Sequence, residues 1–160
     1  YRYIGGKNRI RGNRNMKGIE QALKENGIYI TKTQGDSMNP MLIEGRDSVI
    51  IVLPKFPLKK YDIPVYKRNG HYTMHRIIRV TKNGYVICGD NRVHLECDIK
   101  DSDIIGVLAG FYRNGKLISC TDEAYIKYSK KICRDYIRRR FIHIIKGLKS
   151  GIIFPKQKKR

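Results

Sequence analysis

The sequence predicts a mainly β domain with a short N-terminal helix before it and a basic helical extension after it. Three Asn-Gly pairs, Asn69-Gly70, Asn83-Gly84 and Asn114-Gly115, each sit between strand-like runs. Asn-Gly suits the type I′ turn, whose twist matches that of a hairpin. By contrast, "MKGIEQALKENG" and the segment after Thr121 carry apolar residues at helical spacing. At 160 residues the chain fits one domain with appendages. It divides into a basic leader over 1–15, a folded unit over 16–120 and a helical tail over 121–160.

The leader, "YRYIGGKNRIRGNRN", is polar, basic and Gly-rich, and contains no apolar secretory core. Met16 follows it, which makes Met16 a candidate native start. Met16, Ile19 and Leu23 then share a helical face, with Asn15 a candidate N-cap and Gly27 a stop. The expected strands are "IYITKT", "DSVIIVL", "DIPVYKR", "YTMHRIIRV", "GYVICG", "IIGVLAGFYR" and "KLIS". Pro54, Pro57 and Pro64 mark strand ends or edges, where a missing N–H is tolerated. In the tail, Tyr125, Tyr128, Ile132 and Tyr136 form one stripe; Ile137, Phe141, Ile144 and Leu148 form another, rotated by roughly a third of a turn. One straight helix would not bury both, so a bend or break is expected near Ile137.

Charge separates these regions. Of the net +20, residues 16–110 contribute little, with 14 basic and 11 acidic side chains. Residues 111–160 carry 15 basic and three acidic. Charge concentrated at the ends suggests an anionic contact, and the stripes flanked by Lys and Arg suit the surface of an anionic membrane. The plainer alternative is that the stripes pack on the β domain. Nucleic acid is disfavoured, since the middle is nearly neutral and holds no recognisable binding motif. No apolar run reaches the roughly 20 residues of a membrane-spanning helix. Cys88, Cys97, Cys120 and Cys133 have neither C-x-x-C nor zinc-finger spacing, so they read as thiols in a reducing compartment, with no metal or cofactor expected. These features predict a protein of the cytoplasm or the inner membrane face.

The chemistry turns on "GDSMNPML", residues 35–42. Gly, Asp, Ser, Asn and Pro form ordinary polar turns, yet a lone serine at a sharp bend is also where a nucleophile is held. A serine hydroxyl needs a neighbouring base. Among His71, His75, His94 and His143, only His75 lies inside an expected strand, sharing a face with Thr73, Ile77 and Arg79. The turn "CGDN" ends the following strand, so a short hairpin brings Asp90 toward His75, as an orienting carboxylate would require.

"GDSMNPML", "HRIIRV" and "CGDN", in this order, resemble the boxes of the signal peptidase and LexA-type serine peptidases (S24/S26-like). "EGRDSVII" and "LKKYDIPVYKR" resemble the intervening strands, the second with Tyr-Asp-Ile in place of the common Gly-Asp-Ile/Val. The resemblance covers about residues 27–112 and implies a signal-peptidase/LexA-like β-fold.

It also implies that Ser37 is the nucleophile and Asp90 the acidic residue of the Gly-Asp-Asn box. The base position, lysine in typical bacterial signal peptidases and LexA-type proteins, is His75 here, as in the endoplasmic-reticulum and archaeal signal peptidases. That type often has a second acidic residue a few positions on, for which Glu96 and Asp98 are the candidates. Gly35, Asp36, Met38 and Pro40 would form the substrate and oxyanion region, with the Ser37 backbone N–H as the donor. Gly35 stands where many signal peptidases have serine, which makes the bend LexA-like and the base signal-peptidase-like.

The implied function is a serine endopeptidase cleaving a peptide or leader substrate. The alternatives are a non-catalytic peptide-binding or regulatory LexA-like module and, further off, a basic nucleic-acid binder.

Overall fold

A computed structural model describes residues 9–10, 18–68 and 70–149. Their elements in order are β1 (Arg9–Ile10), α1 (Ile19–Asn26), β2 (Ile28–Gln34), β3 (Asp47–Val52), β4 (Pro64–Arg68), β5 (His71–Met74), β6 (Arg76–Thr81), β7 (Gly84–Cys88), β8 (Glu96–Ile99), β9 (Ile104–Arg113), β10 (Lys116–Ser119) and α2 (Glu123–Lys149). A seven-stranded sheet runs β10-β9-β3-β2-β1-β5-β4, with β4 also pairing β9. A three-stranded sheet runs β6-β7-β8, and every strand pairing is antiparallel. The mainly β class is as the sequence predicts.

The type I′ expectation holds at one Asn-Gly pair and fails at another. Asn114 and Gly115 both take positive φ (50° and 76°) between β9 and β10, as a type I′ turn demands. At the second pair the two-residue loop is Lys82-Asn83, since Thr81 pairs with Gly84, and Asn83 does not take positive φ. Gly84 instead opens β7 at φ 122°, where a Cβ would lie 2.4 Å from the Ile99 carbonyl oxygen. Of the first pair, Gly70 has φ 75°, while Asn69 lies outside the described residues.

Strand alternation fills the main core. Val49 and Ile51 of β3, Val65 of β4, Met74 of β5 and Leu108 and Phe111 of β9 pack with Ile19 and Leu23 of α1. A second cluster, including Tyr66, Ile77, Tyr85, Ile87 and Ile99, joins the two sheets. α1 begins later than its apolar spacing predicts. Its N-cap is Gly18, not Asn15, and makes no side-chain cap bond; Asn15 and Met16 lie outside the described residues. Gly27 ends the helix in the left-handed conformation, as expected.

Two expectations need correction. "YTMHRIIRV" is not one strand: it divides at His75, with β5 in the large sheet and β6 in the small one. A register shift between Ile77 and Arg79 breaks the alternation further. The tail does not break near Ile137 either, since α2 is continuous over 27 residues. The reason is that only its first half packs. Tyr125, Ser129, Cys133 and Tyr136 are buried, whereas Ile137 and Phe141 are 69% and 65% exposed. A helix that buries one stripe has no need to bend for the second. The side chain of Leu148 lies outside the described residues. Among those residues, no helix is long and apolar enough to cross a membrane.

Candidate active site

Ser37 sits in the bend after β2, and core packing on either side fixes it there. Met38 and Leu42 are fully buried, and the Leu42 N–H bonds the Met38 carbonyl at 2.9 Å. The far side is held by buried Asp47. Its carboxylate accepts the Ile43 N–H at 2.9 Å and bonds from Arg46 and Arg113. Burial alone would raise the Asp47 carboxyl, but the hydrogen bonds from Arg46 and Arg113 hold it down at about 2. At the near side Gly35 takes φ 84°, and its N–H bonds Glu44 at 2.9 Å.

His75 lies at the junction of the two sheets. Its Nε2 is 3.0 Å from Ser37 Oγ, and its Nδ1 is 2.7 Å from Glu96 Oε1. Register explains how Glu96 arrives there. β6 pairs Arg76 with Cys88, and β7 pairs Ile87 with Glu96, so the first residue of β8 comes up beside the start of β6. Tyr66 completes the group: its hydroxyl is 3.1 Å from His75 Nδ1 and donates to Glu96 Oε1 at 2.9 Å. Tyr66 pairs with Thr73 across the β4–β5 hairpin, one residue before the end of β5 and two before His75. Arg68 adds an ion pair to Glu96 Oε2.

The electrostatics fix the tautomer. Burial pushes the Glu96 carboxyl up, but the hydrogen bond and charge of His75, with Tyr66 and Arg68, hold it down at about 2. An ionised carboxylate only accepts, so the proton between it and the imidazole belongs to Nδ1. In a neutral imidazole Nε2 is then the acceptor facing the serine hydroxyl. Burial and the neighbouring Glu96 charge push the Tyr66 phenol upward, so it stays a neutral donor.

Asp90 is a correction. It is buried near the site, but it does not orient His75. Both its oxygens accept from Arg76, Nε to Oδ1 and Nη2 to Oδ2, each at 2.8 Å. The physical reason is the neighbour: Arg76 is fully buried, and a guanidinium that cannot shed its charge requires a carboxylate there. Helix α2 closes this pair from outside. Ser129 Oγ accepts from Arg76 Nη1 at 2.7 Å, and the Tyr128 hydroxyl donates to Asp90 Oδ2 at 3.2 Å. Asp98 is exposed and makes none of the hydrogen bonds around His75.

The turn carrying Asp90 is stitched to the serine bend. The Asn91 N–H bonds the Ser37 carbonyl at 2.8 Å, and Arg92 pairs with Asp36. The hydrogen bond from Arg92 holds the Asp36 carboxyl below its usual range. Gly89 permits the approach, because a Cβ there would stand 2.6 Å from the Ser37 carbonyl oxygen. Of the remaining expected site residues, Met38 belongs to the core and Pro40 is exposed. Among the described residues no cluster of His, Cys, Asp and Glu is arranged to hold a metal ion.

Sequence reasoning offered Glu96 only as one of two acidic supports, and it missed Tyr66 and Arg68. The signal for Tyr66 was the hairpin itself: pairing across Asn69-Gly70 sets "VYKR" against "HYTM", with a phenol facing the strand that leads to His75.

No curated protein and no solved structure gives a significant match. A family model described as Peptidase S24-like matches residues 6–109, which takes in the serine bend, the sheet junction and the Glu96 strand. The chain therefore belongs to the Peptidase S24-like family, within the LexA and signal-peptidase superfamily.

Proposed function

We infer that this protein is a serine endopeptidase of the signal-peptidase-like type. Ser37 Oγ attacks a peptide carbonyl while His75 Nε2 takes its proton. The imidazolium then passes that proton to the leaving amine, and water repeats the cycle on the acyl-enzyme. Glu96 keeps the ring oriented and stabilises its transient charge. The observation that carries this reading is the continuous line from Ser37 Oγ through both ring nitrogens to Glu96, with steps of 3.0 and 2.7 Å.

A peptide substrate is supported by β1. There extended backbone already pairs Arg9 with both Gln34 of β2 and Thr73 of β5. Those partners lie three residues before Ser37 and two before His75, so a strand in this position runs beside the reacting groups.

The test is labelling with a fluorophosphonate, read by intact mass. The wild type is expected to gain one adduct, Ser37→Ala none, and His75→Ala to react at least about 100-fold more slowly. A folded wild type that gains no adduct would remove this reading. It would leave the second one, a peptide-binding or regulatory module without turnover, which is supported by the complete burial of Ser37.

A further inference from the structure

Helix α2 uses one face against the sheets and leaves another uncovered. Tyr125, Ser129, Cys133 and Tyr136 are buried. At 100° per residue, Ile137, Phe141, Ile144 and Ile145 form a stripe centred roughly 110° around the helix from them. These four are 69, 65, 40 and 37% exposed. Arg138 stands at one edge of the stripe and Arg140 at the other, while exposed Lys130 and Arg134 precede it on the same face of the helix. The segment from 111 to 160 carries 15 basic and three acidic side chains.

We propose that the distal half of α2 docks on an anionic phospholipid surface. Ile137, Phe141, Ile144 and Ile145 enter the boundary between headgroups and acyl chains, and the flanking Arg and Lys side chains meet lipid phosphates. Two other occupants fit less well. A second copy would bring one strongly basic segment against another, and like charges oppose that contact. Nucleic acid would satisfy the charge but offers its phosphates and sugars nothing to do with a stripe of four large apolar side chains. A lipid surface answers both the charge and the stripe.

Docking also sets the direction of the candidate active site. Arg139 Nη1 donates to the Asp90 carbonyl at 2.6 Å, and the Tyr136 hydroxyl to the Val93 carbonyl at 3.1 Å. The next residue after Asp90 holds the Ser37 carbonyl through its N–H. The helix that meets the lipid is thus bonded to the turn that holds the serine bend, so Ser37 keeps a constant bearing to the surface.

Cosedimentation of the full chain with phosphatidylcholine vesicles tests this, with and without phosphatidylglycerol at roughly a third of the lipid. Binding is expected to be at least about tenfold stronger with the anionic lipid, and Ile137→Ser/Phe141→Ser is expected to lower it at least about tenfold. That double variant should keep the wild-type melting temperature, since both side chains are exposed. Equal binding by the double variant would overturn the proposal, because tail charge alone would then suffice. So would equal binding to neutral vesicles, or a wild-type dimer in light scattering that the variant loses. Ser37→Ala is expected to dock as wild type does, which separates this result from the fate of the peptidase reading.

Discussion

His75 and Arg76 are consecutive in the chain, and each takes a carboxylate from the segment between β7 and the start of β8, but the two pairs differ in kind. Arg76 and Asp90 have side-chain exposures of 0 and 1% and are bonded twice, with tyrosines and Ser129 of α2 closing over them. The guanidinium keeps its charge throughout. His75 and Glu96 retain 6 and 17% exposure, meet through one nitrogen, and leave the other on a hydroxyl. One pair fastens the helix and the serine bend together; the other links a carboxylate through an imidazole to a hydroxyl. The lesson is that acidity near a histidine does not identify its partner. The permanently charged neighbour claims its carboxylate first, and the titratable one takes what the next strand supplies.

The sharpest way to break this contrast is to remove Asp90. Asp90→Ala leaves a buried guanidinium uncompensated, and is expected to cost about 3–5 kcal/mol of folding free energy. Urea denaturation monitored by circular dichroism reads that loss. A variant as stable as wild type would mean that the pair does not hold the fold.

Glu96→Gln probes the other pair. Substrate turnover or fluorophosphonate labelling is expected to fall by about 10–100-fold. The acid limb gives an independent check. The folded-state carboxyl lies at about 2 against an ordinary 4.5, so the stabilisation it contributes is present above about 4.5 and lost as pH falls through 2. In Glu96→Gln the decline between those values should be shallower. It should not vanish, because Asp47 is also held at about 2 and titrates in the same window. An unchanged decline would detach Glu96 from the stability of the site.

The smallest effect is expected from Tyr66→Phe. It removes one hydrogen bond to the Glu96 carboxylate and leaves the His75–Glu96 bond in place, at a cost of about 1.5–3 kcal/mol of stability. Labelling should slow by no more than about tenfold, because the bond that orients the ring remains. A loss as large as that of Glu96→Gln would make the phenol an equal partner in orienting the ring.

Much of the fold was legible because it is local. Asn-Gly pairs set hairpins, and the alternation of Asp47, Val49 and Ile51 marks one buried face of β3. Gly27 closed its helix where expected. What escaped was long-range. Nothing in a two-residue period announces that a strand changes sheets at His75, because the apolar pattern of "HRIIRV" suits either sheet. The short β8, with Glu96 and Asp98 both acidic, has no hydrophobic alternation to reveal it. Two stripes on α2 implied two buried faces, but burial depends on whether a surface lies opposite, and the sequence of a helix does not contain that surface. Ser37 and His75 were legible as candidates through their motifs. Their separation of 3.0 Å is a property of the assembled sheets.

The division of one run of residues between two sheets has a mechanical consequence. Ser37 is carried on the larger sheet, Glu96 on the smaller, and the imidazole occupies the seam. Sliding one sheet past the other by half an ångström would stretch one end of the relay and compress the other, whatever the side chains' own rotamers. Arg76, bonded to Asp90 and Ser129 one residue beyond the seam, limits that play: the spacing of hydroxyl and imidazole depends on how stiffly the joint is made.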